Sequence, residues 1–460
     1  MLPKNLKYGS KVEASPARSF RSNIAPQNGT GNYNLSDQII INIPTRANLV
    51  LCPSESYLKF NLKVTGAGND NVIRFDSCGA HGLIQRIRIY HGSNLLEDID
   101  NYGMLAKILY DLQQPTDATY GKLNVISGTR SDLVVKNATA YADAAAITAA
   151  INNGTISATQ VNSGEYLATL ADGGDVTRTY CINLISLVGS LCSQHYLPLF
   201  ACTSAPLRVE LTLVNALNQA LCTRSGGTIQ ISNCEYVGQF IELSDVAMGM
   251  ISQSLQGQPL QFVVPEYRNY VSSQFTLQNA AQEVQIPIAA KFNSLKSLIM
   301  SVRDKGTGAN TFMPFSSTTL NLSQYYFRIG ANVVPAKAPA TYQEMFSECL
   351  KALGSMSDLN YQPSIDKTSY TQTTSAAVVF ANDSTYNAVS SGSFYIGIDL
   401  ENYSAASKDA IFAGLNTTTD DVYAVLNYAG VAGAPVPRYD IYANFDCLLV
   451  FENGTAYIKA

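Results

Sequence analysis

One stretch, His81 to Leu112, returns in degraded form near the start of the second half, and that restricts the chain to folds built from two like units. In the first copy, Ile84 to Tyr90 (IQRIRIY) alternates as a strand does and turns at His91-Gly92-Ser93-Asn94. It then passes Leu95-Leu96 and enters an amphipathic run from Tyr102 to Leu112. In the second, Tyr325 to Ile329 (YYFRI) turns at Gly330-Ala331-Asn332, passes Val333-Val334 and reaches Tyr342 to Leu353. The turn asparagines are 238 residues apart and the helix-start tyrosines 240. A weaker echo agrees: Ile229 to Glu242 resembles Tyr439 to Glu452 in its strand residues, with Glu235 and Asp446 at the two centres. Two tandem units of roughly two hundred residues account for this most simply.

Length permits that reading. At 460 residues the chain exceeds the roughly 250 to 300 at which single cores stop growing. Only 14% of residues are charged, well below the usual quarter, so much of the surface is expected to be covered by neighbouring subunits. The net charge is −5, and neither sign forms a block. One basic cluster, Lys4, Lys7, Lys11, Arg18 and Arg21, marks an N-terminal arm; it could touch nucleic acid or a membrane, but its spacing suits a solvated tail. Nine cysteines without a CxxC pair read as buried thiols in a reducing compartment rather than a disulfide framework. The first residues lack the apolar core of a signal peptide, and no run of about 18 apolar residues occurs.

Along the chain, short alternating segments dominate. Gln38 to Ile43, Tyr57 to Val64, Tyr180 to Leu187, Leu207 to Val214, Glu283 to Ile288, Leu295 to Val302, Phe394 to Leu400 and Asp421 to Tyr428 read as strands. Ser273 to Leu277 reads as the opening strand of the second unit. Tyr439 to Phe451 is expected to turn at Asn453-Gly454 into Thr455 to Ile458, the strongest hairpin signal present. The helix from Tyr102 places Leu105, Ile108, Leu109 and Leu112 on one stripe and Lys107 and Asp111 on the polar side, and is expected to cover an edge or end of a sandwich. A further helix is capped near Ser244 or Asp245. Gly121 to Arg178 and Tyr361 to Asn387 read as long loops. The predicted fold is all-β: two tandem eight-stranded jelly-roll sandwiches with short accessory helices. The predicted division is an arm over 1–35, a first roll over 36–243, a connection over 244–270 and a second roll over 271–460.

Nothing in the sequence resembles an active site. The three histidines, His81, His91 and His195, form no HxH, HExxH or His/Cys cluster, so a Ser-His-Asp or Cys-His mechanism has nothing to recruit. Glu97, Asp98 and Asp100, and the pair Asp420-Asp421, could bind a cation or act as acid and base. The plainer reading of Asp98 to Asp100 is a helix N-terminus favoured by the dipole. Gly29-Thr30-Gly31 and Gly306-Thr307-Gly308 lack a phosphate-loop context. Tyrosines are abundant, but Tyr325, Tyr326 and Phe327 lie in a predicted strand and suit core and subunit packing. No catalytic, cofactor-binding or metal-ligating residue is assigned, and no cofactor is expected.

The order of these segments resembles the double jelly-roll major capsid proteins of icosahedral tailless viruses, the lineage of membrane-containing phages, large eukaryotic DNA viruses and the adenovirus hexon. The resemblance is carried by IRIYHGSNLLEDIDNYGMLAKILYDL, by HYLPLF (His195 to Phe200) leading to LRVELTLVNA, by VAMGMISQ, by RIGANVVP with its following helix, and by YDIYANFDCLLVFENG. It implies a non-enzymatic subunit with two upright rolls, three copies of which form a pseudo-hexameric capsomer. It implies as partners neighbouring capsomers, penton and minor capsid proteins, and an internal membrane reached by the N-terminal arm, without specific nucleic-acid binding. The implied location is the virion capsid, assembled in host cytoplasm or nucleus. Modest insertions imply a low-relief outer surface. Two other readings stay open: a carbohydrate-binding or carbohydrate-active β-sandwich, and a minor virion vertex or spike protein.

Overall fold

A computed structural model describes residues 17–29, 31–65, 73–129, 168–169, 174–192, 196–223, 228–304, 314–354, 362–373, 392–401 and 412–459. In chain order the strands of the first half are β1 (Ala17–Ile24), β2 (Gln38–Ile43), β3 (Leu49–Thr65), β4 (Ile73–Arg74), β5 (Ile84–His91), β6 (Asn94–Asp100), β7 (Ala168–Thr169), β8 (Gly174–Ile182), β9 (Leu207–Leu213), β10 (Cys222–Thr223) and β11 (Thr228–Leu243). Those of the second are β12 (Leu260–Ser272), β13 (Gln282–Ile288), β14 (Leu295–Asp304), β15 (Leu322–Ile329), β16 (Asn332–Val334), β17 (Tyr395–Asp399), β18 (Val422–Tyr428), β19 (Pro437–Glu452) and β20 (Thr455–Lys459). The helices are α1 (Tyr102–Gln113), α2 (Thr116–Tyr120), α3 (Lys122–Ser127), α4 (Asp245–Leu255), α5 (Tyr342–Lys351) and α6 (Lys367–Tyr370).

The strands form four main antiparallel sheets, an all-β arrangement consistent with a jelly-roll-like architecture. In the first half the orders are β1-β11-β3-β8-β7 and β2-β9-β5-β6; in the second they are β12-β19-β14-β17, with β20 on β19, and β13-β18-β15-β16. With the two-residue strands β4, β7 and β10 and the terminal β20 set aside, every strand of one half has a counterpart at the same place in the other. The duplicated stretch falls where duplication requires: β5–β6–α1 and β15–β16–α5 occupy equivalent positions. Their turns match too, since His91 pairs with Asn94 and Ile329 with Asn332 across two-residue loops led by Gly92 (φ +59°) and Gly330 (φ +57°). Positive φ at the first loop residue alone is the type II′ pattern, which suits the twist of a hairpin and favours glycine. The closing hairpin instead puts both Asn453 (φ +50°) and Gly454 (φ +76°) in the left-handed region, the type I′ pattern predicted for Asn-Gly.

Alternation sets the inner faces. Ile39, Ile41 and Ile43 of β2, Leu207, Val209, Leu211 and Leu213 of β9, and Tyr325, Phe327 and Ile329 of β15 are buried, with their alternate neighbours wetter. Alternation fails in β19, where Tyr439, Ile441, Tyr442, Ala443 and Phe445 are all buried. A strand loses its polar face when both sides of its sheet are covered, and here the first half supplies the second cover, β6 lying against β12 and β20.

Several sequence readings need correction. Residues 17–24, assigned to a non-periodic arm, form β1, paired along its length with β11 from Ala17↔Leu243 to Ile24↔Tyr236. Its burial pattern has no fully buried position, so no apolar period announces it. Residues 260–270, assigned to the connection, belong to β12, paired with β19, whereas Ser273 to Leu277 is not a strand. The strand predicted over Tyr180 to Leu187 ends at Ile182 and begins at Gly174. Helix α4 starts as predicted, with Ser244 Oγ accepting from Ala247 N–H at 3.3 Å, but buries none of its residues. Seven of the cysteines are buried free thiols, and Cys181 is partly exposed.

Candidate functional site: the junction between the halves

Helix α1 positions the densest polar cluster. Its inward stripe, Leu105, Leu109 and Leu112, packs into the first half as the sequence predicts. The opposite face is not wet. Gly103, Lys107 and Asp111, one turn apart, are all buried and all face the second half. Gly103 and Gly82 make room for the ring of Phe315, which would lie 2.8 Å and 3.0 Å from a Cβ at the two positions. Lys107 is 1% exposed, so its reading as a polar-face partner of Asp111 is corrected: the pair exists, but inside the protein.

Lys107 Nζ lies 2.9 Å from Asp111 Oδ2 and 3.3 Å from Asp76 Oδ1, and donates to Ser77 Oγ (2.9 Å) and Ser393 Oγ (3.3 Å). Asp111 Oδ2 also accepts from Ser393 Oγ (2.7 Å) and the Tyr395 hydroxyl (2.9 Å), while its carbonyl accepts from Ser364 N–H (2.9 Å). Ser364, Ser393 and Tyr395 belong to the second half. One ammonium therefore sits between two buried carboxylates, and its bond to Ser393 helps tie the halves together. Ion pairs this deep are tolerated only when further hydrogen bonds satisfy them, as here.

Two more ties flank the cluster. Asn101, at the N-terminus of α1 with φ +48°, donates from Nδ2 to Asn269 Oδ1 (2.9 Å) and Asp440 Oδ1 (3.4 Å), and its carbonyl accepts from the Tyr442 hydroxyl (2.8 Å). Its amide nitrogen is thus spent on the second half, and Oδ1, the atom that could cap α1, instead accepts from Gln85 Nε2 of the first half at 2.9 Å; in the other copy Thr341 and Glu344 form a full capping box. At the hairpin tip, His91 Nδ1 accepts from Ala456 N–H (3.0 Å) and Nε2 donates to the Cys202 carbonyl (3.2 Å), which fixes a neutral ring with its proton on Nε2. Asn94 donates to the Ala456 carbonyl at 3.0 Å, and Ser204 N–H to the Gly454 carbonyl at 3.1 Å.

Between these ties two carboxyls are buried. Glu97 is 0% exposed, and Oε2 accepts from Leu187 N–H at 3.0 Å. Burial, with the nearby Glu266 carboxyl adding, holds it well above the usual carboxylate range. Glu266 of β12 is pushed up to about 7, mainly by burial and against the pull of Arg268; it also accepts from the Asp98 backbone N–H across the junction. The other acidic groups have structural partners. Asp98 accepts from Arg86 through two bonds (2.7 and 2.6 Å) within the β5–β6 ladder, so the reading of Asp98 to Asp100 as a helix N-terminus gives way to a strand with a cross-strand ion pair. Asp421 pairs with Lys291 at 3.0 Å on the surface.

His81 is 0% exposed, between the hydroxyls of Tyr102 and Tyr110 at 2.8 Å each, and burial lowers it to about 3, so it is a neutral core group. Tyr325 and Phe327 are core, and Tyr326 is half-buried. His195, Gly306-Thr307-Gly308 and most of both predicted long loops lie outside the described residues. Among the described residues no three His, Cys, Asp or Glu side chains are grouped to hold a metal ion. What the sequence reading missed is the buried face of α1. Gly103 is its trace: a glycine inside a helix costs about 1 kcal/mol and signals close approach of another element.

No protein-family model and no curated protein sequence matches this chain. Among solved structures, PBCV-1 VP54, from a crystal structure fitted into a reconstruction of the virophage Sputnik, is similar with a TM-score of 0.58 and 9% identity, covering 99% of both chains. A chain of the Sputnik virophage structure gives 0.59 at 12% identity over 98% of this chain and 90% of that one. The mavirus major capsid protein gives 0.53 at 12% identity over 100% and 95%. Along nearly its whole length this chain has the fold found in these proteins.

Proposed function

We propose that this chain is a structural major capsid protein of a tailless icosahedral virus, each half an eight-stranded jelly-roll sandwich, and that three copies form a pseudo-hexameric capsomer that tiles the virion shell. The observation that carries this is the full-length match to the mavirus major capsid protein together with the repetition of one strand order in both halves. The first roll runs from β1 to β11 and the second from β12 to β20, with α4 between them. The junction supports a structural role. Lys107, Asp111 and His91 bond to partners inside the fold, across the two halves. Partners of the assembled subunit are its own copies, neighbouring capsomers, the penton and minor proteins of the shell, and an internal membrane. The test is the native mass of the purified protein with negative-stain imaging. A trimer with a hexagonal outline is expected; a monodisperse monomer that binds a glycan would replace this reading with the carbohydrate-binding one.

A further inference from the structure

Seven acidic residues are buried among the described residues, and five of them meet a lysine or arginine at ion-pair distance. Asp76 and Asp111 share Lys107, Asp440 has Arg303 and Arg438, Asp446 has Lys296, and Glu210 has Arg88 and Arg208. Glu97 and Glu266 are the two with no cation that close among the described residues. A buried carboxylate without a counter-charge is strongly unfavourable, so such a group keeps its proton at a pH where an exposed glutamate has lost it. The raised values of both groups, described above, agree.

The two exceptions face each other. Glu97 stands on β6 of the first half and Glu266 on β12 of the second, the strands that lie together at the junction. The Asp98 backbone N–H donates to the Glu266 carboxyl, which sets that carboxyl beside Glu97. Glu97 Oε2 accepts from Leu187 N–H at 3.0 Å, and the buried Oε1 has no hydrogen-bond partner, which leaves it free to carry a proton. Little positive charge reaches the pair from the surrounding elements. Strand β6 adds the carboxylate of Asp98, already held by Arg86, and α1 adds the Tyr102 hydroxyl. The turn Ser190–Cys192 adds the Cys192 thiol, and β19 adds the Cys447 thiol, which bonds to Glu266. Arg268 of β12 is exposed, with its guanidinium over the rings of Phe292 and Phe445 at 5.7 Å and 5.6 Å.

We propose that Glu97 and Glu266 form a proton-held latch between the two halves of the chain: as two acids, or sharing one proton, they allow β6 and β12 to stay in contact, and loss of the last proton in alkaline solution sets two like charges on facing strands and loosens the junction around them. Above the ordinary glutamate range the closed junction binds more protons than the open one, so closure weakens as pH rises. The Lys107 cluster beside it runs on opposite charges instead, so the junction combines one contact that needs ionised groups with one that needs neutral ones. The latch lies within one chain and is independent of the trimeric reading.

The test uses the full chain with Glu97→Gln, Glu266→Gln and the double variant, each of which fixes a neutral group of the same shape. Calorimetric unfolding at about pH 6, in buffers of different ionisation enthalpy, gives the protons released; the wild type should release about two more than the double variant and about one more than either single variant. Opening is read from alkylation of Cys447, which is buried against Glu266. At about pH 9 the wild type should be alkylated at least about tenfold faster than the double variant, and at about pH 6 the two should react alike. Equal proton release would overturn the protonated pair. Unequal release with equal alkylation at pH 9 would leave two buried acids and overturn the latch. If the double variant does not fold, either single variant decides the same two questions with a difference of one proton.

Discussion

Replacing Lys107 by Met keeps the aliphatic stem and removes the ammonium from a site where its two carboxylate partners, Asp76 and Asp111, are 3% and 1% exposed. Removing one partner of a buried pair costs about 3–5 kcal/mol, because the charge left behind is neither solvated nor compensated. Two carboxylates depend on this lysine, so the upper part of that range is expected at neutral pH. The chain has 27 tyrosines and no tryptophan, so urea unfolding is best followed by tyrosine fluorescence beside far-ultraviolet circular dichroism. Asp111 also holds Ser393 and Tyr395 of the second half, so one transition in the wild type should separate into two as the halves uncouple. A single retained transition with a loss below about 1 kcal/mol would refute the idea that these charges hold the junction.

Three further outcomes follow from the same geometry. Glu266, with a folded-state value of about 7 against an ordinary 4.5, contributes stability that is full below about pH 4.5 and is lost as pH rises through about 7, some ~3 kcal/mol in total. Glu266→Gln should flatten that slope in thermal midpoints taken from pH 5 to 8, and an unchanged slope would count against it. His91→Phe leaves Ala456 N–H and the Cys202 carbonyl unpaired, a cost of about 1–3 kcal/mol. Hydrogen exchange of the last strand should accelerate, and exchange as slow as in the wild type would deny the tie. Gly330→Ala should destabilise by about 1–2 kcal/mol and more than Gly92→Ala, since both have positive φ but only Gly330 would place a Cβ 3.0 Å from Asp420 Oδ1. Equal midpoints in denaturant would refute the crowding.

Elements with one wet face were legible because alternation is written in neighbouring residues: β2, β5, β9 and β13 lie where their sequence places them, and the β19–β20 hairpin is announced by its Asn453-Gly454 turn. The duplication was legible for the same reason, as Gly92 and Gly330 answer one backbone demand in two places. Elements that depend on distant cover were not. Strand β1 is an outer strand with no buried position, so Ala17 to Ile24 looks like a polar tail until β11 is beside it. Strand β12 alternates poorly because the first half covers part of its outer side. Lys107 and Asp111 have the spacing of a solvated helix pair, and nothing local distinguishes that from a pair buried under another unit. The one local trace of that burial, Gly103, is readable only once Phe315 is seen against it.

His91, Asn101 and Asp111 grip the second half from a hairpin tip, a helix start and a helix end. A body pinned at three separated points has no waist at which to bend. In the proposed shell, whatever bending the closed surface requires must then be taken up where one chain abuts the next, so differences in radius between assemblies would be written in those outer seams and not within the chain.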